Sequence, residues 1–348
     1  MHQRLLLPFF VTSFFSIQLP NFANALVTCA RCEVGNEECN SLFTRNTCRG
    51  DYCYHAQYFY GNEVFPTIQK GCVIGEVAPE GCRINHVGNV MCFCADADYC
   101  NSNFTSIVDF PTTILPVQTC QPAKVNNMPK PRWTRPCASN YCTYIASRTA
   151  LEVESSNYTW STKDCNRENE FDFFPTLTVF NFYPGTCVWL NYGGQPDTHV
   201  CYGADSLDTS LVIDSTAATI ECHVDYFNPN LPYVKTGSTC SGQFCFISAT
   251  SRGEVFRGCV TSQTVAGATP LKIGYTRSYT GLEQWICDAA YCNADLKSAE
   301  LSWPPELYLY RNISNLREFN VFYIDSAHSS FSILTAIPLV FLAHFAIF

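Results

Sequence analysis

Cysteine spacing constrains this chain more than any other feature. It has 22 Cys among 348 residues, and all of them lie between positions 29 and 292. They form three groups. The first is Cys29, Cys32, Cys39, Cys48, Cys53, Cys72, Cys82, Cys92, Cys94 and Cys100. The second is Cys120, Cys137, Cys142, Cys165, Cys187 and Cys201, and the third is Cys222, Cys240, Cys245, Cys259, Cys287 and Cys292. The counts of ten, six and six are even, so each group can close its own disulfides. Domains of this size bury only about 60% of their unfolded surface and are marginal without cross-links. A bridge around a loop of about 15 residues adds roughly 3 kcal/mol by restricting the unfolded chain.

The groups repeat one another. Cys48-x4-Cys53, Cys137-x4-Cys142 and Cys240-x4-Cys245 share a spacing, with an aromatic residue (Tyr52, Tyr141, Phe244) before each second Cys. Thr47-Cys48 matches Thr239-Cys240, and Gly71-Cys72-Val73 matches Gly258-Cys259-Val260. Cys94-Ala95-Asp96-Ala97-Asp98-Tyr99-Cys100-Asn101 matches Cys287-Asp288-Ala289-Ala290-Tyr291-Cys292-Asn293, which is one residue shorter. Matches recurring in one order indicate duplicated modules.

With its Leu26-x-x-Cys29-x-x-Cys32 start, ten Cys and closing Cys100-Asn101, the first module resembles the lymphocyte-antigen-six/urokinase-receptor family of three-finger domains. Its Cys92-Phe93-Cys94-x5-Cys100 ending departs from that family's usual adjacent Cys pair and is similar to the nematode tandem ET modules. The resemblance implies an all-β, small, disulfide-rich fold of tandem three-finger modules. It also implies the pairs Cys29–Cys53, Cys32–Cys39, Cys48–Cys72, Cys82–Cys92 and Cys94–Cys100. Carried to the third group, the scheme gives Cys222–Cys245, Cys240–Cys259 and Cys287–Cys292. In the second group it gives Cys120–Cys142 and Cys137–Cys165, and leaves Cys187–Cys201 to close a third finger or the C-terminal loop. The second group lacks the final Cys-Asn. Within the first module, the second finger is expected over Tyr54–Gly71 with its turn near Gly61-Asn62. The third is expected over Arg83–Met91 with its turn near Gly88-Asn89, where Gly and Asn suit positive φ.

The expected organisation is module 1 over residues 26–101, a linker over 102–119, module 2 over 120–201, a linker over 202–221 and module 3 over 222–293. A stalk or docking segment follows over 294–330. Arg4, the uncharged run Leu5–Leu19 and the exit Ala23-Asn24-Ala25 read as a signal peptide over residues 1–25. Residues 331–348 carry no Lys, Arg, Asp or Glu, and no cytosolic-type basic cluster follows them. With the small residues around Ser326, they read as a signal for a glycosylphosphatidylinositol anchor attached at Ser326. Acceptor triplets for N-glycosylation occur at Asn103, Asn157 and Asn312.

With Lys+Arg 21 against Asp+Glu 30, the net charge is −9. That balance gives no basic face for nucleic acid and no polybasic patch for anionic lipid. His55, His86, His199, His223 and His328 are scattered, and no His-Glu-x-x-His, Gly-x-Ser-x-Gly or Gly-rich phosphate loop is present. The reading is therefore non-enzymatic, without a cofactor. His223 beside Cys222 suggests a Cys-His pair, but a bridged sulfur is no nucleophile. Cys92-x-Cys94 and Cys240-x4-Cys245 could serve as zinc ligands, yet an exported chain with repeated bridge spacing favours disulfides.

Arg49-Gly50-Asp51 matches an integrin-recognised tripeptide, but the equivalent slots read Ala138-Ser139-Asn140 and Ser241-Gly242-Gln243. The slot therefore reads as a short variable crossover near the knot. Aromatic clusters around Phe171–Phe174, Phe180–Tyr183 and Tyr226-Phe227 are expected mostly in cores. Asn191–Gly194 and Thr250–Glu254 are expected as fingertips available to a partner. The resemblance implies a surface receptor, co-receptor or modulator of receptors or channels that binds an extracellular or membrane protein through its fingertips. On this reading a lipid anchor holds it to the outer leaflet. The alternative is a structural or adhesive surface protein with a C-terminal transmembrane anchor.

Overall fold

The computed structural model describes residues 26–32, 39, 46–59, 67–75, 80–102, 111–121, 136–147, 160–165, 180, 185–192, 198–206, 218–230, 237–262, 271–304 and 307. These form an all-β, disulfide-rich fold in which one strand plan occurs three times. In module 1, β1 (Val27–Ala30) and β2 (Thr47–Gly50) make a two-stranded ribbon. Four further strands follow: β3 (Tyr52–Tyr58), β4 (Thr67–Val73), β5 (Gly81–Ile84) and β6 (Val90–Cys94). They lie side by side in the order β4-β3-β6-β5.

The strand after them is a departure from the sequence reading. β7 (Thr112–Ile114) falls in the segment expected to be a linker, yet it pairs in parallel with β5. Cys82 N donates to Pro111 O (2.8 Å) and Leu115 N to Ile84 O (3.0 Å), which ties the segment down at both ends. Thr112, Thr113 and Ile114 are the β-branched residues that favour extended backbone.

Module 2 repeats the plan despite its weak sequence match. Its ribbon is β8 (Gln118–Cys120) with β9 (Cys137–Ser139). Its sheet runs β11-β10-β13-β12, from β10 (Cys142–Ser147), β11 (Trp160–Cys165), β12 (Thr186–Tyr192) and β13 (Thr198–Gly203). Module 3 pairs β14 (Ile220–Phe227) with β15 (Ser238–Gly242). It then runs β17-β16-β19-β18, from β16 (Phe244–Ala249), β17 (Val255–Ser262), β18 (Gly274–Arg277) and β19 (Glu283–Cys287).

All 22 cysteines are bonded in eleven disulfides. Module 1 holds Cys29–Cys53, Cys32–Cys39, Cys48–Cys72, Cys82–Cys92 and Cys94–Cys100. Module 2 holds Cys120–Cys142, Cys137–Cys165 and Cys187–Cys201. Module 3 holds Cys222–Cys245, Cys240–Cys259 and Cys287–Cys292. These are the pairs the resemblance implies. Cys187–Cys201 joins directly opposed residues of β12 and β13, so it closes a third-finger hairpin.

Each knot in modules 1 and 3 is sealed by the Asn of the closing Cys-Asn. Asn101 is fully buried; its Oδ1 accepts from Ala30 N (2.9 Å), and its Nδ2 reaches Ala30 O, Tyr54 O and Gly71 O. Asn293 repeats this with His223 N (2.9 Å), His223 O, Phe246 O and Gly258 O. One side chain thus ties the ribbon to two strands of the sheet. The preceding Tyr99 and Tyr291 adopt left-handed φ of 60° and 57°. Their amides donate to Thr28 O (2.6 Å) and Glu221 O (2.7 Å), which offsets a conformational cost of about 1–2 kcal/mol.

The disulfides stay within modules, but the cores do not. β12 pairs with β17 over Val188↔Ser262 to Tyr192↔Gly258, so modules 2 and 3 share a sheet. Their apolar residues also form one cluster, in which Ile145, Phe180, Leu190 and Val200 pack with Phe246, Val260 and Ile286. Modules 3 and 1 meet where Ile74 and Arg277 exchange both backbone hydrogen bonds (3.0 and 2.8 Å). Tyr54 Oη donates to Tyr279 O (3.0 Å), with the two rings edge to face. The start of the expected stalk is docked as well. α1 (Leu296–Ser302), capped by Asp295 accepting from Ser298 N, buries Leu296 and Ala299. Beyond it, Trp303 is 2% exposed and donates Nε1–H to Ile286 O (2.8 Å).

Candidate binding surface

The strand plan brings the end of β3 and the turn between β5 and β6 to one end of the module 1 sheet. β3 and β6 pair as far as Gln57↔Val90, so the chain leaving β3 meets the turn that enters β6. Phe59 N donates to Asn89 Oδ1 (2.9 Å), joining the end of β3 to that turn; the expected second-finger turn near Gly61-Asn62 lies outside the described residues. The third-finger turn is organised by Asn85, whose Oδ1 accepts from Val87 N and Asn89 N, with Gly88 at φ 89°. Strand β7 ends beside this turn, since Ile114 lies opposite Ile84.

Four of the seven large apolar side chains exposed among the described residues gather at this end. They are Phe59 at 41%, Val87 at 44%, Ile114 at 76% and Val117 at 57% exposure. Single exposed apolar residues are ordinary; several in segments that meet at one end of a sheet make that end the candidate interaction surface. The backbone beneath the group is held firmly. Asn140 is 3% exposed; its Oδ1 accepts from His86 N (2.7 Å), and its Nδ2 donates to Leu115 O and Pro116 O (both 3.0 Å). Gln118 Nε2 donates to Asn140 O (2.7 Å), and Asp205 N donates to Gln118 Oε1 (3.0 Å). The apolar group therefore sits on a platform that spans modules 1 and 2.

The sequence-selected tips fare differently. The expected tip Asn191–Gly194 is corrected at its first half: Asn191 and Tyr192 are the last residues of β12 and lie opposite Cys259 and Gly258. Tyr192 is buried, and loss of solvent pushes its phenol up to about 12. The expected tip Thr250–Glu254 is a turn between β16 and β17. Ser251 and Arg252 are exposed there, while Thr250 is buried and bonds Glu254 N through its hydroxyl.

Of Arg49-Gly50-Asp51, only the Arg49 side chain is exposed. Asp51 Oδ2 accepts from Gly75 N (2.7 Å) and Asp51 N donates to Val73 O (2.9 Å). A Cβ at Gly50 would lie 2.5 Å from Val73 O, so only glycine fits this crossing. Asn103, Asn157, Asn312, Ser326, the segments 1–25 and 331–348, His328, Phe171 and Phe174 lie outside the described residues.

Two groups among the described residues bring metal-type ligands together: Cys187, His199 and Cys201, and Cys94, Asp96 and Cys100. In each the two sulfurs are bonded to one another, so no thiolate is on offer to a metal. His199 is fully buried, stacked on Trp189 (5.3 Å) and edge-on to Tyr144 (5.6 Å). His55 is also buried; desolvation, with the nearby Lys70 ammonium, holds its imidazole down at about 4, so it is neutral at physiological pH. Burial lowers Lys70 too, and its ammonium donates to Ser102 O (3.2 Å). His223 is half-buried against the Tyr291 ring (5.1 Å), beside a Cys222 that is bonded to Cys245.

Sequence reasoning missed Ile114 and Val117 because Pro111 and Pro116 marked that stretch as a linker. The run Thr112-Thr113-Ile114 was the available strand signal.

A family described as a domain of unknown function (DUF7622) matches residues 218–297. The match starts just before β14 and ends in the first turn of α1, so it coincides with module 3. No curated protein matches the chain. Among the described residues, no helix is long and apolar enough to cross a membrane.

Proposed function

We propose that this chain is an exported, cell-surface binding protein without enzymatic activity, in which three three-finger modules of the lymphocyte-antigen-six/urokinase-receptor type present one apolar edge to a protein partner. Phe59, Val87, Ile114 and Val117, together at the fingertip end of module 1, carry this reading. Export is supported by the signal-peptide pattern and by eleven disulfides with no free thiol, a state typical of oxidising compartments. A glycosylphosphatidylinositol anchor at Ser326 and glycans at Asn103, Asn157 and Asn312 complete the proposal, on the sequence patterns alone. Small rigid hairpins suit protein recognition because the cross-links fix the scaffold in advance, which lowers the ordering entropy of binding.

The test uses the full chain on expressing cells, with a peroxidase fused at its exported N-terminus for proximity labelling. The double variant Val87→Asp, Ile114→Asp places two charges on the apolar edge without touching a core residue. Its labelled set should lose one or more surface proteins by at least about tenfold, the loss expected when a desolvated contact is broken. An unchanged set at equal surface expression refutes the binding edge. Bacterial phosphatidylinositol phospholipase C should release the chain; retention after effective treatment refutes the lipid anchor.

A further inference from the structure

The crossover between the ribbon and the sheet occurs once in each module, and its last polar residue occupies one structural position: Asp51, Asn140 and Gln243. We infer that this position is a latch which locks each module against a neighbour, and that Asp51 within Arg49-Gly50-Asp51 serves the seam between modules 1 and 3 rather than an external receptor.

At all three places the side-chain oxygen accepts from a backbone N–H; the Asn140 bond itself crosses modules, while the Asp51 and Gln243 bonds hold a residue of their own module that lies beside a seam. Asp51 Oδ2 takes Gly75 N (2.7 Å), and Gly75 directly follows Ile74, which exchanges hydrogen bonds with Arg277 of module 3. Gly75 has φ 72°, and a Cβ there would lie 2.4 Å from Tyr275 O of module 3, so this backbone lies directly against β18. Asn140 Oδ1 takes His86 N of module 1 (2.7 Å). Gln243 Oε1 takes Ser262 N (3.1 Å), and Ser262 sits opposite Val188 of module 2 in the shared ladder. The chemistry is constant while the residue changes: a short or medium polar side chain whose oxygen can accept. Positive or apolar side chains at this position could not make the bond.

The consequence is a chain whose three modules move together, because each seam is pinned from within a disulfide-bounded crossover. The seam between modules 1 and 3 joins residues about 200 positions apart in sequence, and its exchanged backbone pair, Ile74 with Arg277, lies directly beside the latched Gly75.

The test measures amide exchange by mass spectrometry on the full ectodomain. A hydrogen bond to a charged group contributes about 1.5–3 kcal/mol, which corresponds to roughly 10–150-fold in local opening. Asp51→Ala should therefore speed exchange at Ile74, Gly75 and Arg277 by at least about tenfold. Asp51→Asn, which keeps an acceptor oxygen but loses the charge, should fall between wild type and Asp51→Ala. An adhesive tripeptide would order the variants differently, with Asp51→Asn losing attachment of integrin-bearing cells while exchange is unchanged; that result overturns the inference. Gln243→Ala provides a second, independent seam, and should open the amides of Ser262 and of the adjacent ladder pair Trp189 and Thr261 while leaving Arg277 protected. Unchanged seam exchange in Gln243→Ala, or in a folded Asp51→Ala, also overturns it.

Discussion

The closing Asn gives the sharpest quantitative test of the fold. Replacing Asn101 with Ala removes one acceptor, used by Ala30 N, and two donor hydrogens shared among Ala30 O, Tyr54 O and Gly71 O. Three hydrogen bonds at about 1 kcal/mol each give about 3 kcal/mol, and the orphaned, buried Ala30 N–H adds roughly 1–2 more. The change also removes the link between the β1–β2 ribbon and β3 and β4, so the loss should appear in module 1 first. Since module 1 contains no Trp, fluorescence will not report it. Amide exchange will: about 4–5 kcal/mol predicts a fall in protection of roughly 1,000–5,000-fold for Ala30 and its ladder partners. Asn101→Asp should be at least as damaging. Its Oδ1 can still accept from Ala30 N, but the second carboxylate oxygen would face three carbonyls where an amide had donated. Asn293→Ala should reproduce the effect at His223 in module 3, where Trp285 and Trp303 also allow an optical readout. A fall below about fivefold in Asn101→Ala, or a benign Asn101→Asp, would refute the view that this amide ties the ribbon to the sheet.

Acid should weaken module 1 through His55. Its folded-state pKa of about 4 lies below the ordinary 6.5, so the stability is fully present above pH 6.5 and is lost as pH falls towards 4. The loss is about 3 kcal/mol, and His55→Gln should flatten that slope in denaturant titrations run across the interval. Gly258→Ala would place a Cβ 1.9 Å from Asn191 O, so β12 must leave β17. Exchange should then rise along Val188–Tyr192 and the thermal transition should split, whereas a single unshifted transition would contradict the shared sheet.

Much of the local fold was legible in the sequence because covalent cross-links dominate domains this small. The repeated spacing Cys48-x4-Cys53, Cys137-x4-Cys142 and Cys240-x4-Cys245 marked the three crossovers, and Gly88-Asn89 marked a turn that forms there. The closing Cys100-Asn101 and Cys292-Asn293 signalled the duplication, although nothing in the letters says that the amide binds four backbone groups. The binding edge was less legible. Ile114 and Val117 sit between prolines, and their exposure depends on β7 lying along β5, which is a contact between segments about 30 residues apart.

By itself, then, the sequence determined the number of modules, their β character and which halves of the chain belong together. Cysteine spacing and the residues that flank each Cys are local quantities, and they are written residue by residue. Only the tertiary structure decided that the modules fuse: β12 joins β17, Ile74 joins Arg277, and Asn140 clasps His86. Such seams are made mainly by backbone N–H and C=O groups, which every residue carries alike, and by glycines whose missing side chain shows its purpose only when another strand arrives. That is why Tyr192 read as a fingertip and proved to be core, and why the crossover slot that holds Asp51 read as merely variable and proved to carry a side-chain bond to Gly75 N.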